Sequence, residues 1–362
     1  MSTDRRGKPK SFGAGFFISG DGLIVTARHV AQAEDNLLAI THDGAKHPIT
    51  GFLGEDRDYD VAVVKLDGRG FAPLPLADAL PKTNEWVALV SPTDQWAALF
   101  DRTDAPAPVC VGRIESVLSL PGLWTTLHTT VPAQHGQSGS PLLNERFEVI
   151  GVMPFLSDQE QATVSPMTVV QQLVAKARTG APIAFAKRPR KGGSAPLLLD
   201  ADFKAGAEAM KRQDWNEVER RMKRAAKSFR ESPLPLTCLA STYAKRGAWK
   251  ETHAACEKAL RLSQGSALLQ VLDGTSLVML GRNADGLASV RSGLDLGLPD
   301  PAMRRSAWTL LATAEAALGH ANRVREALEN LRSLDTAEAS QVAERIRQIN
   351  PKLNLSHETN SK

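Results

Sequence analysis

Apolar and polar positions follow two different rhythms along this chain. From residue 12 to about 165 the apolar residues come in short alternating or fully apolar runs. Examples are "GAGFFISGDGLIVTA", "YDVAVVKLDG", "EWVALVSP", "PVCVGRIESVLSL" and "SPLLNERFEVIGVMPF", set off by glycine, proline and aspartate. Such runs predict strands, and their close spacing predicts an all-β barrel or sandwich. "SPMTVVQQLVAKART", residues 165–179, switches to helical spacing. "AKRPRKGGSAP", residues 186–196, has the charge, glycine and proline of a solvated linker. Beyond residue 200 the chain becomes rich in alanine and leucine, and its apolar residues keep a helical period.

The helical half repeats. Trp215 recurs as Trp249 and Ala225 as Ala259, and Gly247 recurs as Gly281, each 34 residues on; Gly319 follows 38 after Gly281. With paired helices, that period resembles the tetratricopeptide (TPR) repeat, most fully in "LASTYAKRGAWKETHAACEKALRL". The resemblance implies four repeats, a closing helix at about 336–349, and a concave groove for a protein partner. It places Phe203, Ala207, Thr237, Ser241, Val271 and Thr275 at groove positions, without the Lys and Asn set of carboxylate-gripping relatives. Trp215, Trp249 and Trp308 read as core, and Cys238 and Cys256 as small buried hydrophobes.

Composition narrows the classes. A length of 362 residues suits about two domains, and 42% hydrophobic with 23% charged residues suits soluble cores. The net charge of +4 is partly the run "KRPRKGG", with no basic stripe interleaved with aromatics, so no nucleic-acid partner is expected. Three cysteines without a CxxC pair exclude a disulfide framework. The polar start "MSTDRRGKPK" lacks the apolar core of a secretory leader, and no run approaches the roughly 20 apolar residues of a membrane helix. A cytoplasmic protein without membrane contact is expected. No His, Cys, Asp or Glu cluster has metal-ligand spacing, so neither metal nor cofactor is expected.

The chemistry gathers in the first half. A nucleophilic serine needs a base, an acid to orient that base, and backbone donors for the oxyanion. "VTARHVA" places His29 after an apolar strand, "DRDYDVAVVKL" places Asp60 before the next, and "GQSGSP" places Ser138 on a tight turn. Asp56 and Asp58 are the alternative carboxylates, read as solvated turn residues. The order His, Asp, Ser excludes an α/β-hydrolase, in which the serine comes first.

"GAGFFISGDGLIVTARHV", "DYDVAVVKL" and "GQSGSPLLNERFEVIGV" together resemble the chymotrypsin-fold serine peptidases, most of all the bacterial HtrA/Deg-like branch, over residues 12–175. The resemblance implies a catalytic triad of His29, Asp60 and Ser138, with the N–H groups of Gly136 and Ser138 as oxyanion hole. Ser140 stands where that family often has a second glycine. The primary pocket is expected from Val131, Pro132, His135, Val152, Met153 and Phe155, without an acidic wall, and so suited to a small or medium apolar side chain.

The expected architecture is multidomain. A chymotrypsin-like double β-barrel occupies 1–183 and a basic flexible linker 184–199; an all-α repeat solenoid follows over 200–352, then a disordered tail over 353–362. The expected function is a serine endopeptidase acting on a protein or peptide substrate, with the repeats recruiting substrate or regulator. The alternative is an inactive or latent scaffold acting through its repeats.

Overall fold

The computed structural model describes residues 2–3, 9–32, 36–91, 109–120, 124–132, 136–154, 161–179, 181–188, 196–263, 265–298 and 300–353. The chain divides into two compact units with the main break after Asp200. Among the described residues, the first is all-β apart from a few helices, of which Met167–Thr179 is the longest, and the second is all-helical.

Two layers of strands build the first unit. One is an eight-stranded sheet whose neighbours run Pro9–Ser11, Ser2–Thr3, Asn36–Ile40, Lys46–Asp56, Val61–Leu66, Leu23–Ala27 and Gly15–Phe17, with Ile183–Ala184 added beside Lys46–Asp56. The other is a closed six-stranded barrel of Trp86–Val90, Val109–Leu120, Trp124–Pro132, Pro141–Leu143, Val149–Val152 and Gln161–Pro166. The fully apolar runs of the sequence become the central strands: Leu23–Ala27 is buried along its whole length, and Val61 to Val64 are buried on both faces. Ile24, Phe52, Val64 and Leu66 meet in one core, and Leu89, Leu127, Leu142 and Ile150 in the other. The helix expected after the barrel is present as Met167–Thr179.

Where the sequence suggests a flexible linker, the structure is more ordered at both ends. Ala184 pairs with Gly51, Phe185 is buried in the first core, and Arg188 is buried. Leu197 and Leu198 are also buried. Residues 189–195 of the expected linker and 354–362 of the expected tail lie outside the described residues.

Among the described residues, the second unit is four helix pairs and a closing helix: Ala201–Lys211 with Trp215–Ser228, Leu234–Lys245 with Trp249–Leu262, Ala267–Met279 with Asn283–Asp295, Pro301–Ala317 with Ala321–Leu334, then Thr336–Ile349. Each pair turns in the same way. Gln213, Gly247, Gly281 and Gly319 have positive φ, and the next residue in each case donates its N–H five residues back: Asp214 to Ala209, Ala248 to Tyr243, Arg282 to Leu277, His320 to Glu315. This is the left-handed helix cap with its long return bond. The glycine period in the sequence is therefore the period of the turn, and Gln213 bears the same conformation where glycine is missing. Trp215, Trp249 and Trp308 are half-buried rather than enclosed. Of the expected groove positions, Phe203, Ala207, Thr237 and Val271 are interior, since their helix faces pack inward. Cys238 is fully buried, which pushes its thiol up to about 12, and burial raises Cys256 as well.

Candidate active site

Strand register builds one half of the site. Leu23–Ala27 runs antiparallel to Val61–Leu66 with Ala27 opposite Val61, so the residues just beyond each end, Arg28–His29 and Asp60, must meet. The Arg28 N–H donates to the Asp60 carbonyl at 2.8 Å. The His29 N–H donates to Asp60 Oδ1 at 2.9 Å, and His29 Nδ1 lies 2.6 Å from Asp60 Oδ2. The carboxylate is thus bound at both oxygens, 2% exposed, while the imidazole is half-buried. That geometry fixes the ring and leaves Nε2 on its other side to exchange a proton.

Asp60 has φ of +55°, a left-handed conformation that costs on the order of 1 kcal/mol outside glycine. Its neighbours hold it there. Asp56 Oδ1 accepts from the N–H groups of Asp58 and Tyr59, both at 3.0 Å, closing the turn. Ser165 donates through Oγ to the Tyr59 carbonyl at 2.6 Å, and the Tyr59 hydroxyl accepts from the Thr125 N–H at 3.1 Å. The closed barrel therefore grips the turn that carries Asp60. Asp56, read from sequence as a solvated residue, builds that turn. An aspartate two and three residues before the amides it binds is a legible signal. Tyr59 and Ser165 leave no such trace, because their link is long-range.

The other half is the turn of residues 136–140. Gly136 and Gly139 both have φ of +90°. A Cβ on Gly139 would overlap the Ala14 carbonyl and come within 2.7 Å of Thr26 Oγ1 and 2.9 Å of Ala27 N. A Cβ on Gly13 would lie 3.1 Å from the Ser138 carbonyl and 2.5 Å from Val30 Cγ2. The two glycines thus let the serine turn press against the strand and helix that carry His29. Ala14 ties them, its N–H donating to the Ser138 carbonyl at 2.7 Å while its carbonyl accepts from Thr26 Oγ1 at 2.6 Å. From the barrel side, the Gly139 N–H donates to the Met153 carbonyl at 2.7 Å and the Met153 N–H to the Ser140 carbonyl at 2.9 Å. Ser138 is 8% exposed. Among the described residues, no carbonyl accepts from the N–H groups of Gly136 and Ser138. Ser140 is wholly buried with no partner for Oγ among the described residues.

The expected pocket residues fare unevenly. Val131, Val152 and Met153 have no exposure, Val131 and Met153 packing in the barrel core, whereas Pro132 is exposed. His135 and Phe155 lie outside the described residues. Among the described residues, no group of three or more His, Cys, Asp or Glu could hold a metal ion, and no helix is long and apolar enough to cross a membrane.

Residues 13–152 match the trypsin-like peptidase domain. Over 154 residues the chain is 35% identical to a protein of Pseudomonas fluorescens named "Probable periplasmic serine endoprotease DegP-like", covering 41% of this chain and 30% of that protein. A protein of the same name from Halomonas elongata is 32% identical over 144 residues, covering 40% of this chain and 29% of its own length. The chain thus spans less than a third of these relatives. Among solved structures, the serine endoprotease from Yersinia pestis aligns with a TM-score of 0.41 and 19% identity, over 48% of this chain and 60% of that one.

These relatives overturn the cytoplasmic expectation, since they are named periplasmic. That expectation leaned on scarce cysteines and on the polar start of the sequence. Scarce cysteines do not exclude export, because a domain large enough for its own apolar core has no need of disulfides.

Proposed function

We propose that this chain is a serine endopeptidase with His29, Asp60 and Ser138 as its catalytic triad. The observation that carries the reading is the His29–Asp60 pair, hydrogen-bonded through Nδ1, beside a serine turn fitted through Gly13, Ala14 and Gly139 onto the elements that hold the pair. Ser138 Oγ attacks the scissile carbonyl while His29 Nε2 takes its proton. The developing oxyanion is bound by the N–H groups of Gly136 and Ser138, and His29 returns the proton to the leaving amine. Water then repeats the sequence on the acyl-enzyme. Asp60 holds the tautomer with the proton on Nδ1 and stabilises the imidazolium.

The helix pairs, repeating at the period of tetratricopeptide repeats, recruit the protein substrate or a regulator. The periplasmic names of the relatives support action outside the cytoplasm. The test is hydrolysis of fluorescein-labelled casein by the full chain and by Ser138→Ala. Turnover by the wild type alone supports the reading; equal turnover shows hydrolysis that does not use Ser138 and refutes it, and no turnover by either, with a protein recovered by pull-down, favours a scaffold.

A further inference from the structure

We infer that Arg188 is a positioning residue for His29, and that the segment Ile183–Arg188, which follows the helix Met167–Thr179 within the β unit, latches the short helix on which His29 sits. The inference rests on the peptidase reading above and names a control of that same site.

His29 belongs to a helix of only five residues, Arg28–Gln32. A helix this short has too few internal bonds to persist without outside support, and its last carbonyls need external donors. Arg188 supplies one, its Nε donating to the Ala31 carbonyl at 3.0 Å. The same guanidinium donates through Nη1 to the Phe185 carbonyl at 2.9 Å and lies 3.8 Å over the Phe185 ring. Arg188 is 3% exposed. Burying a guanidinium is costly unless its donors are used and its charge is met. Here the helix C-terminus offers the negative end of its dipole, and Glu55 acts on Arg188 electrostatically.

Glu55 grips the same helix from the other side. Its Oε1 lies 3.2 Å from Arg28 Nε, and its Oε2 accepts from Gln32 Nε2 at 2.6 Å. Glu55 is on strand Lys46–Asp56, with which Ile183–Ala184 pairs, Ile183 opposite Phe52 and Ala184 opposite Gly51. The His29 helix is therefore held by strand Lys46–Asp56 through Glu55 and, through Arg188, by the turn that follows the neighbouring strand Ile183–Ala184. Peeling Ile183–Arg188 from Phe52 would withdraw Arg188 from Ala31 and free the C-terminal end of the helix that carries His29. Release of this segment would therefore act on the catalytic pair through Arg188 alone.

The test uses the full chain and the variants Arg188→Ala and Arg188→Lys, with three readouts: the rate of fluorophosphonate labelling, kcat and KM on a fluorogenic peptide, and the NMR signal of the His29 Nδ1 proton bound to Asp60. Misplacement of a catalytic group by about 1 Å costs up to 10²-fold in rate. The expected result for Arg188→Ala is labelling and kcat reduced about tenfold or more with KM unchanged, and a broadened or lost Nδ1 proton signal. Arg188→Lys, which keeps the charge and one donor, falls between. Wild-type rates with a sharp Nδ1 proton in Arg188→Ala would overturn the inference. Should that variant not fold, Arg188→Lys with a native melting curve decides: reduced kcat supports the latch and wild-type kcat refutes it. A wild type that does not label defeats the peptidase reading instead, and the Nδ1 proton still tests Arg188 by itself.

Discussion

Gly139→Ala is the substitution for which the structure gives the most definite expectation. At φ of +90° any L side chain is strained, at a cost of about 1–2 kcal/mol. The new Cβ would also overlap the Ala14 carbonyl and crowd Thr26 Oγ1 and Ala27 N, which are mainly backbone or hydrogen-bonded groups that cannot rotate away. Overpacking of this kind costs about 1–3 kcal/mol. The total, about 2–5 kcal/mol, is a large share of ordinary domain stability. In a unit of this size it lowers Tm by about 4–20 °C. If the turn shifts to relieve the overlap, Ser138 moves away from His29, and labelling by a fluorophosphonate falls by on the order of 10²-fold. Gly70 is the control: its φ is +85° but no atom lies within 4 Å of a Cβ there, so Gly70→Ala incurs the strain alone and keeps its labelling rate. Measuring Tm and labelling rate for both variants tests the reasoning. A Gly139→Ala protein that melts and labels like Gly70→Ala would refute the close fit of the serine turn against the His29 strand.

Further outcomes follow from the same geometry. Asp60→Asn keeps the fold, because asparagine tolerates the left-handed backbone, but with its amide oxygen on the His29 N–H its NH2 faces Nδ1 and forces the proton onto Nε2; the labelling rate falls by about 10³–10⁴ with Tm within a few degrees. Ser140→Ala removes a buried hydroxyl without a partner among the described residues, and is expected to raise stability by about 1 kcal/mol in urea denaturation; a comparable loss would mean that the hydroxyl is used. In the helical unit burial opposes ionisation of Glu315, yet hydrogen bonds from His320 at 2.6 Å and Arg291 at 3.0 Å outweigh it and hold the carboxyl below its ordinary 4.5. Its contribution is thus complete above about pH 4.5 and lost as pH falls through the lowered folded value. The stability difference between wild type and Glu315→Gln, about 1–3 kcal/mol near neutrality, should shrink in that acid range, whereas a difference independent of pH would contradict the assignment.

Local patterns carried most of what could be read in advance. The short apolar runs specify the strands because buried strands need them, and the 34-residue recurrence of glycine specifies a turn that needs positive φ. Triad candidates were legible because each sits at the end of such a run. What the sequence hid is long-range: Ser165 meeting Tyr59, Arg188 meeting Ala31, and Ala14 tying the serine turn all join residues far apart in the chain. The ordered ends of the linker region stayed hidden for a related reason. Charge and glycine in "KRPRKGG" outweighed Phe185 and the stem of Arg188, whose burial depends on a strand more than a hundred residues earlier. Half-burial of Trp215 and Trp249 likewise reflects their place as the first residues of their helices, while Trp308 packs against the core from mid-helix, and period alone fixes neither.

The most direct test of the central claim is fluorophosphonate labelling of the full chain beside Ser138→Ala and His29→Ala, with the modified residue located by peptide mapping. Labelling of the wild type at Ser138, absent in Ser138→Ala and strongly reduced in His29→Ala, is the predicted result. Labelling that persists in Ser138→Ala, or no labelling of the wild type in the presence of a cell-envelope extract, would contradict a serine peptidase built on His29, Asp60 and Ser138.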